Sequence, residues 1–288
     1  MSQVTTPSIL LLGDSGAGKT YSITSLLKAG LEVFVLITEP NGVDSLIDSV
    51  QKQGLDINKL HWKIISPVAM DLSLLQEQAA KVNGLTFEGI SKLTSGVEKK
   101  RCTQYIDTIK TVAKFIDDRT GKDYGDITTW GPDRAFVVDS LTGLVTMAIQ
   151  NTIGLRPTIQ LQEYGIIQTM LESTITLFTN LKCFFVMTAH IERLVDEVNG
   201  GMKMMAWSIG KKLSPVLPRF FSEVVYVYRE GPNFWWSTAT LNVNTKQRSL
   251  PVSDKIEPTF EPIIKAYHDR LKVINNVKEV PKTVSATA

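Results

Sequence analysis

Apolar residues gather in five runs of strand length: "SILLL" at 8–12, "EVFVLI" at 32–37, "HWKII" at 61–65, "RAFVVD" at 134–139 and "CFFVMTA" at 183–189. They are nearly continuous, the pattern of strands covered on both faces. Between them, over 19–29, about 42–54, 73–83, 103–118 and 163–181, apolar positions recur at helical spacing. Strands alternating with helices predict an α/β fold with a mainly parallel central sheet flanked by helices. After Ser208 the texture becomes alternating and aromatic-rich. "SEVVYVYREG", "NFWWSTAT" and "TLNVNT" are predicted as antiparallel strands appended to that sheet. Residues 84–132 form a long insertion expected to hold one helix and loops. The chain reads as one domain over 1–274, with a flexible tail over 275–288 where Pro281 and small polar residues collect.

The turn behind the first strand carries the clearest chemistry. "GDSGAGKT", Gly13 to Thr20, has the spacing of a P-loop, in which backbone N–H groups wrap a triphosphate ahead of a helix. Gly13, Gly16 and Gly18 admit backbone angles and close approaches that a Cβ would obstruct. Asp14, Ser15, Ala17 and Tyr21 complete the expected nucleotide-binding set. Lys19 is expected against the β and γ phosphates, and the Thr20 hydroxyl on Mg²⁺.

Composition changes this picture little. Lys plus Arg number 31 and Asp plus Glu 29, so a nucleic-acid partner must be met by a local patch and not by global charge. Cys102 and Cys183 make no disulfide framework or metal cluster and fit a reducing cytosol. No run has the length of a membrane span, so no membrane partner and a cytoplasmic location are expected, in a bacterial host if the chain is phage-encoded.

A hydrolysing site needs a second acid for Mg²⁺, and "AFVVDS" puts Asp139 at a strand tip, where it is also placed to cap the next helix. Many P-loop ATPases carry their water-activating Glu directly after that Asp. Here Ser140 follows, so the base must come from elsewhere. Glu39, in "VFVLITEPNG", ends the second strand at the edge where α/β sheets collect ligands; it is either a general base or a solvated turn residue. "FFVMTAH" offers Thr188 and His190 as polar groups at the tip of the next strand.

In this order the residues resemble the RecA-like ATPases, and more closely the compact RecA-core proteins of bacteriophages that promote single-strand annealing and recombination. The resemblance covers about residues 8–270 and rests on "GDSGAGKT", "ITEPNG", "FVVDSLTGL", "MTAHIER" and "IGKKLSPVLPRFFSEVVYVYRE". It implies a RecA-like P-loop NTPase core, ATP and Mg²⁺ as cofactors, DNA-stimulated ATP hydrolysis with Glu39 as base, and His190 standing where RecA has Gln. It further implies single-stranded DNA as partner, a ring or filament of identical subunits, and contact with a single-strand-binding protein. The DNA-lining loops would be "IGLRPTIQLQEYG", with Arg156, and "IERLVDEVNGGMKMMAWSIG", with Arg193 and Lys203. The second also contains Glu192, Asp196 and Glu197, and Asn199-Gly200 marks a hairpin turn. Lys246 and Arg248, two apart on a predicted strand, would reach a neighbouring subunit's ATP as cationic fingers or else form a solvated face. A helicase loader or DNA-packaging motor component acting on a protein partner is the alternative reading.

Overall fold

Four of the apolar runs become strands with a partner on each edge and cover on both faces, while "HWKII" forms an edge strand with one strand partner. The computed structural model describes residues 4–39, 42–69, 72–83, 101–156, 158–195 and 200–278. Strands β1 (Ser8–Leu12), β2 (Glu32–Ile37), β3 (Leu60–Ile64), β4 (Arg134–Asp139) and β5 (Phe184–Ala189) lie in the order β3-β2-β4-β5-β1, all parallel. An antiparallel ribbon follows, β6 (Ile191–Val195) with β7 (Met202–Ala206). Strand β8 (Glu223–Glu230) then joins β1 in parallel, and β9 (Asn233–Ser237) closes the sheet antiparallel to β8.

Alternate residues of each strand feed two cores. Leu10, Phe34, Phe136, Val138 and Phe185 pack with Leu144 and Leu171. These come from helices running Leu141–Ile153 and Leu161–Thr179. Leu11, Val33, Val35, Val137 and Val186 pack on the other face with Ile23, Leu26, Leu46 and Ile263. That face is covered by short helices at Lys19–Ile23 and Ser25–Lys28, and longer ones at Gly42–Gln53 and Glu261–Lys278.

Several expectations change. β8 is a parallel member of the core, not an appended antiparallel strand; its first three residues are buried, and alternation begins only at Tyr226. "TLNVNT" and the stretch carrying Lys246 and Arg248 form no strand: Val243 and Lys246 make isolated bridges to Met204 and Val224. Leu241 is 99% exposed and only Val243 and Leu250 are buried there, so no apolar face holds the segment flat. In the insertion, the helix expected over 103–118 ends at Ala113, because Phe115 turns inward and exchanges backbone hydrogen bonds with Tyr124 and Gly125. The last helix continues through Lys278, past the expected start of the tail at 275. Residues 84–100 and 279–288 lie outside the described residues.

A parallel sheet brings all its C-terminal strand ends to one edge. Leu12, Ile37, Asp139 and Ala189 therefore deliver the P-loop, Glu39, the Asp139 carboxylate and His190 to one place.

Candidate active site

The loop from Gly13 to Thr20 turns tightly over the end of β1. A Cβ on Gly13 would sit 2.4 Å from the Val227 carbonyl oxygen, and Gly18 has φ +95° with the Phe234 ring 2.5 Å from where its Cβ would be. Inside the loop, the Ala17 N–H donates to the Asp14 carbonyl. The Lys19 ammonium donates to the carbonyls of Gly13 (2.9 Å) and Asp14 (2.8 Å). Burial lowers the Lys19 pKa, opposed by the charges of Asp139, Glu39 and Asp14. A buried ammonium resting on neutral carbonyls is suited to exchange them for a phosphate anion.

Thr20 donates to the Asp139 carboxylate at 3.0 Å, and the Thr188 hydroxyl donates to the other carboxylate oxygen. Burial pushes the Asp139 carboxyl up from its ordinary value, against these two bonds. One carboxylate and one hydroxyl are a hard-oxygen pair that fits Mg²⁺, whose remaining ligands are phosphate oxygens and water. Among the described residues no cluster of three or more His, Cys, Asp or Glu offers a cage made of protein alone, so these two would hold Mg²⁺ jointly with a nucleotide.

Glu39 lies two residues past β2. His190 Nε2 meets its Oε1 at 2.9 Å, and the Ser140 hydroxyl donates to the same oxygen. The other His190 nitrogen, Nδ1, is 3.5 Å from Lys19 Nζ. The imidazole thus links the carboxylate to the P-loop lysine. The His190 bond chiefly lowers the Glu39 pKa; burial raises it, Ser140 lowers it again, and the net direction is down. A carboxylate ionised at neutral pH and 36% exposed beside a phosphate cradle has the properties of a general base. A cleft of about 530 Å³ opens over Ser15, Gly16, Gly18, Lys19, Thr20, Tyr21, Glu39, Asp139 and His190.

Other expected residues lie apart. The Arg193 guanidinium grips the Asp14 carboxylate with two nitrogens, at 3.1 and 2.5 Å, and Arg156 pairs with Glu163. Lys203 is half-buried on β7 opposite Leu194. Lys246 donates to the Phe221 carbonyl at 2.6 Å, and the Arg248 N–H donates to Glu223, at the start of β8 and away from this cleft's edge. Trp236, from "NFWWSTAT", is buried in the core, its indole N–H donating to Ser22 Oγ at 3.1 Å. The hairpin expected around Asn199-Gly200 is the β6–β7 ribbon, with residues 196–199 outside the described residues. Sequence reasoning missed the contacts of Phe234 and Ser140. Only the aromatic character of "NFWWST" and the Ser following Asp139 pointed to them.

A glycine-lined phosphate loop, a strand-end Asp beside its Thr, and a carboxylate facing the same cleft define a P-loop ATPase domain on a mainly parallel α/β sheet. The chain belongs to the AAA domain family, whose profile matches residues 5–255. No curated protein matches it. Thirty-six chains of solved structures match. One is a prototypical ATPase from the type III secretion system of pathogenic bacteria, 12% identical with a TM-score of 0.39 over 97% of this chain and 68% of that one.

Proposed function

We propose that this ATPase is an ATP-dependent, single-stranded-DNA-binding protein of RecA type that hydrolyses ATP at subunit interfaces to control DNA binding and homologous pairing. One observation carries the reading: the β6–β7 ribbon leaves the sheet directly after His190, whose ring touches both Glu39 and Lys19. A group placed to sense the γ-phosphate is thereby joined to a projecting element. The triphosphate lies on the P-loop backbone and Lys19. Bound Mg²⁺, held by Thr20 and Asp139, would offset charge on the β and γ oxygens. Glu39 takes a proton from water as the water oxygen bonds to the γ-phosphorus, and the bond to the ADP oxygen breaks. The base and ribose occupy the adjoining cleft of about 570 Å³, walled by Tyr21, Phe234, Trp235 and Pro258.

Lys246 and Arg248 serve a neighbouring subunit's site, since they lie at the far end of β8 from their own. Lys246→Ala mixed with Glu39→Gln should then recover part of the activity each lacks alone. The protein-partner reading draws on the ribbon itself: Val195 and Met202, opposite each other, are 73% and 50% exposed, and Arg193 is engaged with Asp14. A salt titration of single-strand binding with a non-hydrolysed ATP analogue separates the two. A steep fall in affinity with salt marks direct phosphate contact; no binding at low salt favours a protein partner.

A further inference from the structure

We propose that Ser140 is a positioning residue for Glu39: with His190 it occupies Oε1 and so assigns Oε2 to the attacking water. The inference rests on Glu39 being the base. Beyond the last paired residues, Ile37 and Asp139, the tips of β2 and β4 are tied together. The Thr38 N–H donates to the Asp139 carbonyl at 2.8 Å. The Ser140 N–H donates to Thr38 Oγ1 at 2.8 Å, and that hydroxyl donates back to the Ser140 carbonyl at 2.7 Å. Gly143 fits against this joint so closely that a Cβ would lie 2.3 Å from Thr38 Oγ1 and 2.5 Å from the Thr38 carbonyl oxygen. Thr38 and Ser140 are fully buried.

The Ser140 hydroxyl is therefore held still, and its use is informative. Ser140 is the N-cap residue of the helix Leu141–Ile153, yet its side chain makes no capping bond to that helix. It donates to Glu39 instead. Both donors found for the carboxylate among the described residues, Ser140 Oγ and His190 Nε2, converge on Oε1. A carboxylate oxygen that already accepts two hydrogen bonds is the weaker proton acceptor, so proton transfer falls to Oε2. Where other P-loop enzymes carry the base one residue after the metal-binding Asp, this chain carries there the group that aims a base arriving from another strand.

The test is a double-mutant cycle on the full-length protein, read by single-turnover ATP hydrolysis and by affinity for a non-hydrolysed ATP analogue. Ser140→Ala should lower the hydrolysis rate about 10- to 100-fold, the range for losing a hydrogen bond to a charged group. Analogue affinity should stay within about twofold. In a Glu39→Gln background, Ser140→Ala should cause no further loss, because the group it aims is gone. Ser140→Cys keeps a weaker donor on a slightly larger side chain and should fall between; it replaces Ser140→Ala if that variant does not fold. An unchanged rate in Ser140→Ala, or the same proportional loss with and without Glu39, overturns the proposal, as does loss of analogue binding. Wild-type turnover by Glu39→Gln alone refutes the choice of base, which is a different failure.

Discussion

Strand β2 has a glutamate near each end, and each glutamate meets a histidine, but the two arrangements serve opposite purposes. At the start of the strand, Glu32 lies 3.2 Å from His61 Nε2, and His61 Nδ1 lies 3.3 Å from Asp117. Arg134 closes the other side of Glu32 at 3.0 Å. Asp117 also accepts from Thr120 and from the backbone N–H groups of Trp62 and Arg119. The His61 and Asp117 side chains are 3% and 0% exposed. Past the other end, Glu39 and His190 are 36% and 28% exposed and face the cleft over the P-loop. The first cluster is saturated by its own chain and fastens the insertion to β3. The second keeps acceptor capacity open toward a ligand. Two similar residue pairs on one strand thus differ in whether their neighbours exhaust them, and that difference separates scaffold from chemistry.

The comparison can be broken most sharply at Lys19. Lys19→Ala should leave no nucleotide binding by fluorescent-analogue titration and no measurable turnover; retained turnover would remove the site altogether. Glu39→Gln should keep the analogue bound while hydrolysis falls by roughly 10³-fold, within the span that one general base supplies. His61→Ala should do the reverse, lowering unfolding free energy in urea by about 2 kcal/mol through the lost hydrogen bonds to charged partners, with the rate per folded molecule unchanged. A large rate loss there would blur the distinction between the two clusters.

Acidity sharpens it further. Burial pushes the Asp117 carboxyl up, but its hydrogen bonds from Thr120, Trp62, Arg119 and His61 outweigh this and leave it below the ordinary value. Its stabilisation is present above the unfolded-state pKa and is lost as pH falls through the lower folded value, so Asp117→Asn should flatten the acid side of a stability curve. Glu39 is also lowered, chiefly by His190. If Glu39 is the base, as proposed, its ionised form is the active one, so hydrolysis should persist to lower pH than an ordinary glutamate allows, and His190→Ala should move that acid limb upward. The smallest effect is expected at Arg193. Its pair with Asp14 is nearly half exposed on both sides, so Arg193→Ala should leave the melting temperature nearly unchanged.

What was legible followed from how local each signal is. The P-loop is written in eight consecutive residues, and Asp139, Glu39 and His190 are readable because each closes an apolar run. The aiming of Glu39 by Ser140 was not, since it spans 101 residues and depends on the register of β2 with β4. β8 looked antiparallel because Tyr226 and Tyr228 alternate with buried valines, a pattern produced by its exposed outer half rather than by its pairing with β1. The strand expected around Lys246 failed for the converse reason: alternating letters with too little apolar surface beneath them.

The position of β1 has a consequence for synthesis. Of the strands in this sheet β1 is made first, and it is flanked in the finished fold by β5 and β8, which lie more than 170 and 210 residues later. Residues 8–12, apolar but for Ser8, therefore lack one partner until β5 has been made and the other until about residue 230 has been translated. The phosphate loop is made before either strand that flanks β1, so a nascent chain cut short of them carries the complete motif without the sheet that shapes it.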